Sequence, residues 1–266
     1  GFGPIAWNFP FRCWPTKFDR ADRICRIHPR NRMKEDMPSP VFPELPPRKE
    51  LLDYLLTFDM FEQTGRRAEG VEYVTFHLER FIKTLQLLPR LPGKVRVLEL
   101  GASPYFMTFL IKKYFGYEIT PANFFLDYGE EVTDDIEKEI TISSERYGES
   151  HTFRFRQFTL ELDPFPHQDA EFDMVLCCEI LEHMAMDPSH MLREAHRVLK
   201  PGGFLVLTTP NAASIENIWT LVRGNNIYHP YSGFGIYGRH NREYIPRELE
   251  MLLRAHHFEP RIVVDD

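Results

Sequence analysis

The strongest constraint on this chain is a change of rhythm near Val95. From there, short apolar runs alternate with stretches of helical spacing. Residues 95–100 (VRVLEL), 117–125, 172–178 (FDMVLCC) and 204–210 (FLVLTTP) read as strands. In FDMVLCC and FLVLTTP the apolar residues run almost without a break, as in strands buried on both faces. Residues 151–158 (HTFRFRQF) alternate and read as a further strand, and 261–265 (RIVVD) as the last. Residues 104–115, 130–140, 188–199 and 246–257 have helical spacing. Lys200-Pro201-Gly202-Gly203 ends the third of these helices and turns the chain into a strand. This order predicts βαβ units, and so a mostly parallel central sheet flanked by helices.

The residues before Val95 do not share that rhythm. Residues 1–47 are rich in Pro, Arg and aromatics without a sustained period and are expected to form an irregular N-terminal arm. The arm is locally basic, through Arg20, Arg23, Arg26, Arg30 and Arg32. Residues 48–92 read as a helical extension. Leu51, Leu52, Leu55 and Leu56 fall on one side of its first helix; Val71, Val74, Leu78, Phe81, Ile82 and Leu85 define its second. The domain proper is expected over 93–266, with an insert at about 211–244.

Composition narrows the classes of function. A formal net charge of -7 over 266 residues argues against a broad nucleic-acid surface. No apolar run approaches the roughly 20 residues of a membrane-spanning helix. The cysteines Cys13, Cys25, Cys177 and Cys178 form neither a disulfide framework nor a zinc pattern, which points to a reducing, cytoplasmic setting.

Three groups of residues carry chemistry. The first strand ends in Leu98-Glu99-Leu100-Gly101-Ala102-Ser103-Pro104, and a glycine there lets backbone approach a ligand at the carboxyl end of a strand. After the 172–178 run come Glu179, Glu182 and His183, whose i, i+3, i+4 spacing would share one face if a helix begins there. The insert carries Trp219, Tyr228, His229, Tyr231, Phe234, Tyr237 and His240, interrupted by glycines, which suits a binding loop that stacks on rings or sugars.

The pairing of FDMVLCCEILEH (172–183) with LREAHRVLKPGGFLVLTTPN (192–211) resembles the class I S-adenosylmethionine-dependent methyltransferases, and the resemblance runs from about 95 to 264. It implies a Rossmann-like methyltransferase fold and S-adenosyl-L-methionine as cofactor. By that resemblance Gly101, Ala102 and Ser103 would line the methionine part. Glu99 would hold the first loop or the amino group. Asn123 would meet the ribose, Thr159 and Leu160 would flank the adenine, and Cys178 with Glu179 would lie near the sulfonium. Asn123 stands where the family carries an acid, Thr159 where it carries Asp or Asn, and the first loop has fewer glycines. The family also adds a seventh, antiparallel strand after the sixth, so this sheet edge is expected to be modified or completed by further chain.

The function expected from these residues is methyl transfer to an oxygen of a saccharide or other polyhydroxylated small molecule. His183, His240 and Glu179 are the catalytic candidates, because hydroxyl acceptors benefit from a base near neutral pH. Tyr228, Tyr231 and Tyr237 are the candidate acceptor contacts. The expectation is metal-free chemistry. The alternative converges Glu179, Glu182, His183 and His240 on one divalent ion, an arrangement similar to that of the metal-dependent RNA 3′-end 2′-O-methyltransferases. A further alternative is a non-catalytic, cofactor-binding or scaffolding relative.

Overall fold

A computed structural model describes residues 23–29, 44–59, 67–122, 137–156, 158–228 and 236–264. Its centre is a six-stranded sheet in the order β3-β2-β6-β7-β1-β8. The strands are β1 (Arg23–Pro29), β2 (Arg96–Leu100), β3 (Glu118–Ala122), β6 (Phe172–Cys178), β7 (Leu199–Thr208) and β8 (Phe258–Val264). β3, β2, β6 and β7 run parallel; β1 runs antiparallel to both β7 and β8.

Alternation along the strands divides the core into two layers. Val97, Met174, Leu176, Phe204 and Val206 face one side. There they meet α1 (Arg48–Leu55), α2 (Arg67–Leu87) and α3 (Phe106–Phe115) through Leu51, Leu55, Val74, Leu78, Phe109 and Leu110. Leu98, Leu100, Val175, Cys177, Leu205 and Leu207 face the other, against Met191, Leu192, Ala195 and Val198 of α4 (Ser189–Val198) and Leu249 and Leu253 of α6 (Pro246–Ala255). Successive side chains on a strand point to opposite faces, so unbroken apolar runs need helices on both. The expected Rossmann-like α/β architecture is present.

Three local expectations are corrected. The arm is not wholly irregular: Arg23–Pro29 is a strand, and Ile24–Ile27 pair with Thr208–Leu205. It lies between β7 and β8, which is where the family's seventh, antiparallel strand would sit. The slot is thus filled from the N-terminal side of the chain. The expected strand at 151–158 does not join the main sheet. It is β5 (Glu149–Arg156), paired antiparallel with β4 (Glu137–Ser144) in a separate hairpin alongside β3. The helix expected over 130–140 is therefore overturned at its end, where Glu137 onward is extended. Thr141, Phe153 and the β-branched run favour a pleated, half-buried surface, and Ile142 and Phe153 are buried under α3.

Among the described residues no helix is long and apolar enough to cross a membrane.

Candidate active site

The carboxyl ends of β2 and β6 open into a cleft lined by Glu99, Gly101, Ala102, Ser103, Cys178 and Glu179. Six sequence-predicted cofactor residues therefore come together. After β2 the amides of Gly101 and Ala102 both donate to the Ala122 carbonyl at 2.8 and 3.2 Å, which ties the first loop to the end of β3. Gly101 has φ +69, and a Cβ there would lie 2.2 Å from Ile180 Cδ1. Glycine is needed here for a left-handed backbone and for close packing of Ile180. Glu99 is buried and accepts a hydrogen bond from Thr108. Burial pushes its carboxyl up to about 8 against that hydrogen bond. Burial likewise raises the Cys178 thiol, keeping it protonated and unreactive.

Thr159 and Leu160 are buried, and Leu160 packs with Leu98, Leu100 and Ala122 beside the ends of β2 and β3. The Thr159 hydroxyl is buried without a hydrogen-bond partner, while its amide donates to Asp163. Asn123 lies outside the described residues.

A further wall of the cleft comes from α2, which the sequence motifs do not point to. Tyr73, Arg80, Phe81 and Thr84 line it. The Arg80 guanidinium pairs with Glu179 Oε2 at 3.3 Å and reaches the Tyr73 hydroxyl at 3.4 Å. The signal was present: Tyr73, His77, Arg80 and Thr84 form a polar stripe at helical spacing beside the apolar one.

The helix proposed to carry Glu179, Glu182 and His183 on one face does not form. Glu179 has φ +54, and only Leu181–His183 make a single 3₁₀ turn. The two acids therefore point to different neighbours. Glu179 Oε1 accepts from the Thr208 hydroxyl at 2.7 Å. Glu182 is fully buried, and its Oε2 accepts from the Thr209 hydroxyl at 3.0 Å. Its Oε1 is buried with no hydrogen-bond partner.

The insert brings His240 to His183. Asn241 and Arg242 amides donate to the Glu182 carbonyl at 2.7 and 3.2 Å, and the Asn241 side chain donates to the His183 carbonyl at 2.9 Å. The two imidazoles meet edge to face with centroids 5.0 Å apart. His183 Nδ1 lies 3.0 Å from the Arg239 carbonyl, which can only accept, so Nδ1 carries the proton. His240 Nδ1 lies 3.0 Å from Glu243 Oε1. Glu243 Oε2 in turn accepts from Asn217 of α5 (Ile215–Val222) at 3.1 Å. Burial and the nearby Glu179 charge push Glu182 up to about 8, with His240 opposing. Burial alone would lower His240, but its Glu243 hydrogen bond and the Glu182 charge raise it.

Of the acceptor candidates, Tyr237 is half-buried beside His240's segment, Tyr228 is exposed, and Tyr231 lies outside the described residues. Nothing brings Tyr228 into the cleft.

Residues 116–207 match the sequence profile of a family described as "Methyltransferase domain". The mostly parallel sheet and the cleft at its strand ends agree with the resemblance of the sequence to the class I S-adenosylmethionine-dependent methyltransferases. Over 57 residues the chain is 44% identical to the ubiquinone biosynthesis O-methyltransferase of Pseudomonas syringae pv. tomato and 42% identical to that of Pseudomonas paraeruginosa. Those matches cover 21% of this chain, and the chain spans 24% of the length of either relative. Among solved structures, a SAM-dependent methyltransferase of Thermotoga maritima is 23% identical with a TM-score of 0.45, over 75% of this chain and 80% of that one. One of Archaeoglobus fulgidus is 19% identical with a TM-score of 0.43, over 71% and 69%.

The cleft offers groups that suit S-adenosylmethionine, the cofactor that the sequence resemblance implies. They are a guanidinium for a carboxylate and a buried acid for an ammonium.

Proposed function

We propose that this chain binds S-adenosylmethionine over Gly101 and delivers its methyl group to a hydroxyl oxygen held beside His183 and His240. The observation that carries this reading is the junction of two half-sites at the end of β7, where Thr208 holds Glu179 and Thr209 holds Glu182. The cofactor supplies an electrophilic methyl on a sulfonium, so the protein's task is alignment and proton handling. Arg80 takes the carboxylate of the methionine part, exchanging its contact with Glu179 for it. Glu99 takes the amino group. Cys178 and Glu179 border the reacting end. Thr159 and Leu160 flank the adenine.

On the acceptor side, the Arg239 carbonyl orients the His183 ring through its Nδ1 proton. Glu243 does the same for His240. Either imidazole is the base for the hydroxyl proton, and the raised affinity of His240 for protons matches that task. Positioning alone can contribute ~7–11 kcal/mol to such a transfer.

The acceptor is a polyhydroxylated small molecule, with Tyr237 as a stacking surface; this follows from the aromatic insert. A second reading is an acceptor with an apolar tail. It is favoured by α5, whose Ile215, Ile218, Trp219, Leu221 and Val222 are all more than half exposed. Radiolabelled methyl transfer to a panel of sugars, catechols and alkyl phenols tests both. Incorporation into any hydroxyl that is lost in His240→Ala supports the reading. Tight cofactor binding with no incorporation across the panel would favour a non-catalytic, cofactor-binding role instead.

A further inference from the structure

The apolar side of α5 faces outward. Ile215, Ile218, Trp219 and Val222 recur at i, i+3, i+4 and i+7, so they form one stripe, and each is more than half exposed. The polar side of the same helix faces inward. Thr220 is buried, and the Asn217 side chain donates to the Asn211 carbonyl and to Glu243. An amphipathic helix ordinarily buries its apolar stripe, and a stripe left outside marks a contact surface. We propose that this stripe is the docking site of the N-terminal segment of the same chain, residues 1–11. The inference goes beyond methyl transfer and does not depend on it.

Topology supplies the first reason. Residues 1–22 lie outside the described residues, but the point from which they depart is fixed. β1 runs antiparallel to β7, with Ile24 opposite Thr208. The chain therefore enters β1 at the end of the sheet where β7 stops, which is the end that bears the cleft. Residues 209–214 alone separate β7 from α5, so the helix starts within about 25 Å of Thr208. Residues 12–22, when extended, reach about 36 Å, enough to carry residues 1–11 onto the helix.

Composition supplies the second reason. Residues 1–11 (GFGPIAWNFPF) hold Phe2, Ile5, Trp7, Phe9 and Phe11 and no charged side chain, and the charges of the arm begin at Arg12. An uncharged aromatic segment matches an uncharged apolar stripe, and joining them removes both from water. Residues 229–235, which also lie outside the described residues, offer two aromatic rings, Tyr231 and Phe234. Docking would brace the outer side of the helix whose inner side holds Glu243 against His240. A sugar acceptor leaves the whole stripe to the segment, and an apolar acceptor tail would share it.

The test uses the full chain and its own tryptophans. There are three, Trp7, Trp14 and Trp219, so Trp7→Phe with Trp14→Phe makes Trp219 the sole reporter. Its emission should be blue-shifted and shielded from iodide. Adding Phe9→Ser and Phe11→Ser should shift the emission to the red and raise iodide quenching about threefold, because the ring loses its apolar cover. Ile218→Glu, which sets a charge within the stripe, should do the same and should speed hydrogen exchange in residues 1–11 but not in β2. Cofactor calorimetry on each variant confirms that it is folded. Full quenching of Trp219 in the parent, or shielding that survives Phe9→Ser with Phe11→Ser, overturns the proposal. Shielding that fades on dilution as the sedimenting mass halves also overturns it, by assigning the stripe to a second copy. So does shielding that arises only with phosphatidylglycerol vesicles, which would assign it to a membrane surface.

Discussion

Two adjacent threonines at the end of β7 divide the site into halves with opposite electrostatic states. On the cofactor side, Thr208 and Arg80 satisfy both oxygens of Glu179. On the histidine side, Thr209 satisfies one oxygen of Glu182 and leaves the other buried and unmet. Adjacent residues of a strand face opposite ways, so a shift of one position sends two acids, three residues apart, into different surroundings. Glu179 is thus satisfied before anything binds. The histidine side retains an unmet demand for a donor or cation, and retained demands of this kind mark functional sites.

The comparison breaks first at Gly101. Gly101→Val places a β-branched side chain at φ +69 and pushes into Ile180. Overpacking and backbone strain together should cost about 2–4 kcal/mol of stability. Calorimetry should show no measurable cofactor binding. Micromolar affinity in this variant would mean that the cofactor does not lie over this loop.

Glu99 gives the next largest effect, and it depends on pH. Burial holds its pKa at about 8 in the folded chain, above the ordinary 4.5. A raised acid is harmless below about 4.5 and destabilises increasingly as pH rises towards 8, because only the unfolded chain then ionises freely. Glu99→Gln should therefore leave stability unchanged near pH 4 and raise it by on the order of 3 kcal/mol at pH 7. An ammonium from the cofactor would ionise Glu99, so binding at pH 7 should release protons from the native protein and none from the variant. Equal binding enthalpies in buffers of different ionisation heat would remove Glu99 from the site.

Arg80→Ala sharpens the contrast between halves. Loss of a charged hydrogen bond to the cofactor carboxylate should weaken cofactor binding about tenfold to thirtyfold. KM for an acceptor should change little. An effect on the acceptor alone would move Arg80 to the other half.

The two halves also differ in how far they could be read beforehand. Glu99, Gly101, Ala102 and Cys178 were legible because strand ends fix their place: an apolar run says where the strand stops, and the fold puts ligands there. Arg80 was visible only as part of a polar stripe, since nothing local says which helix will cap the cleft. The histidine half needed a contact between His183 and a segment 56 to 58 residues later, made by the backbone of an insert without periodicity. The helix wrongly expected after β6 has the same cause. Glu179 takes a left-handed conformation to reach Thr208 and Arg80, a tertiary demand that spacing does not carry. The arm strand gives no strand signal in the sequence because Arg23–Pro29 (RICRIHP) lacks period-two alternation, and its partners lie far downstream.

The smallest expected effect tests what the histidine half is open to. Trp219 is 54% exposed on α5 and stacks with Arg223 at 4.9 Å. An exposed side chain with one such contact contributes within about 1 kcal/mol to stability. Trp219→Ala should therefore leave the melting temperature nearly unchanged, and cofactor affinity with it. Its influence should appear only in the acceptor. α5 is tied to His240 through Asn217 and Glu243, so an apolar tail lying along this helix would extend from a hydroxyl held at the imidazoles. Losing part of that surface should raise KM about fivefold for an alkyl phenol, equivalent to about 1 kcal/mol of apolar burial. A sugar, which has no tail to lay there, should show no change. The pair of KM values distinguishes the two acceptor readings: a selective rise favours the apolar-tailed acceptor, and unchanged values for every acceptor leave α5 outside the site.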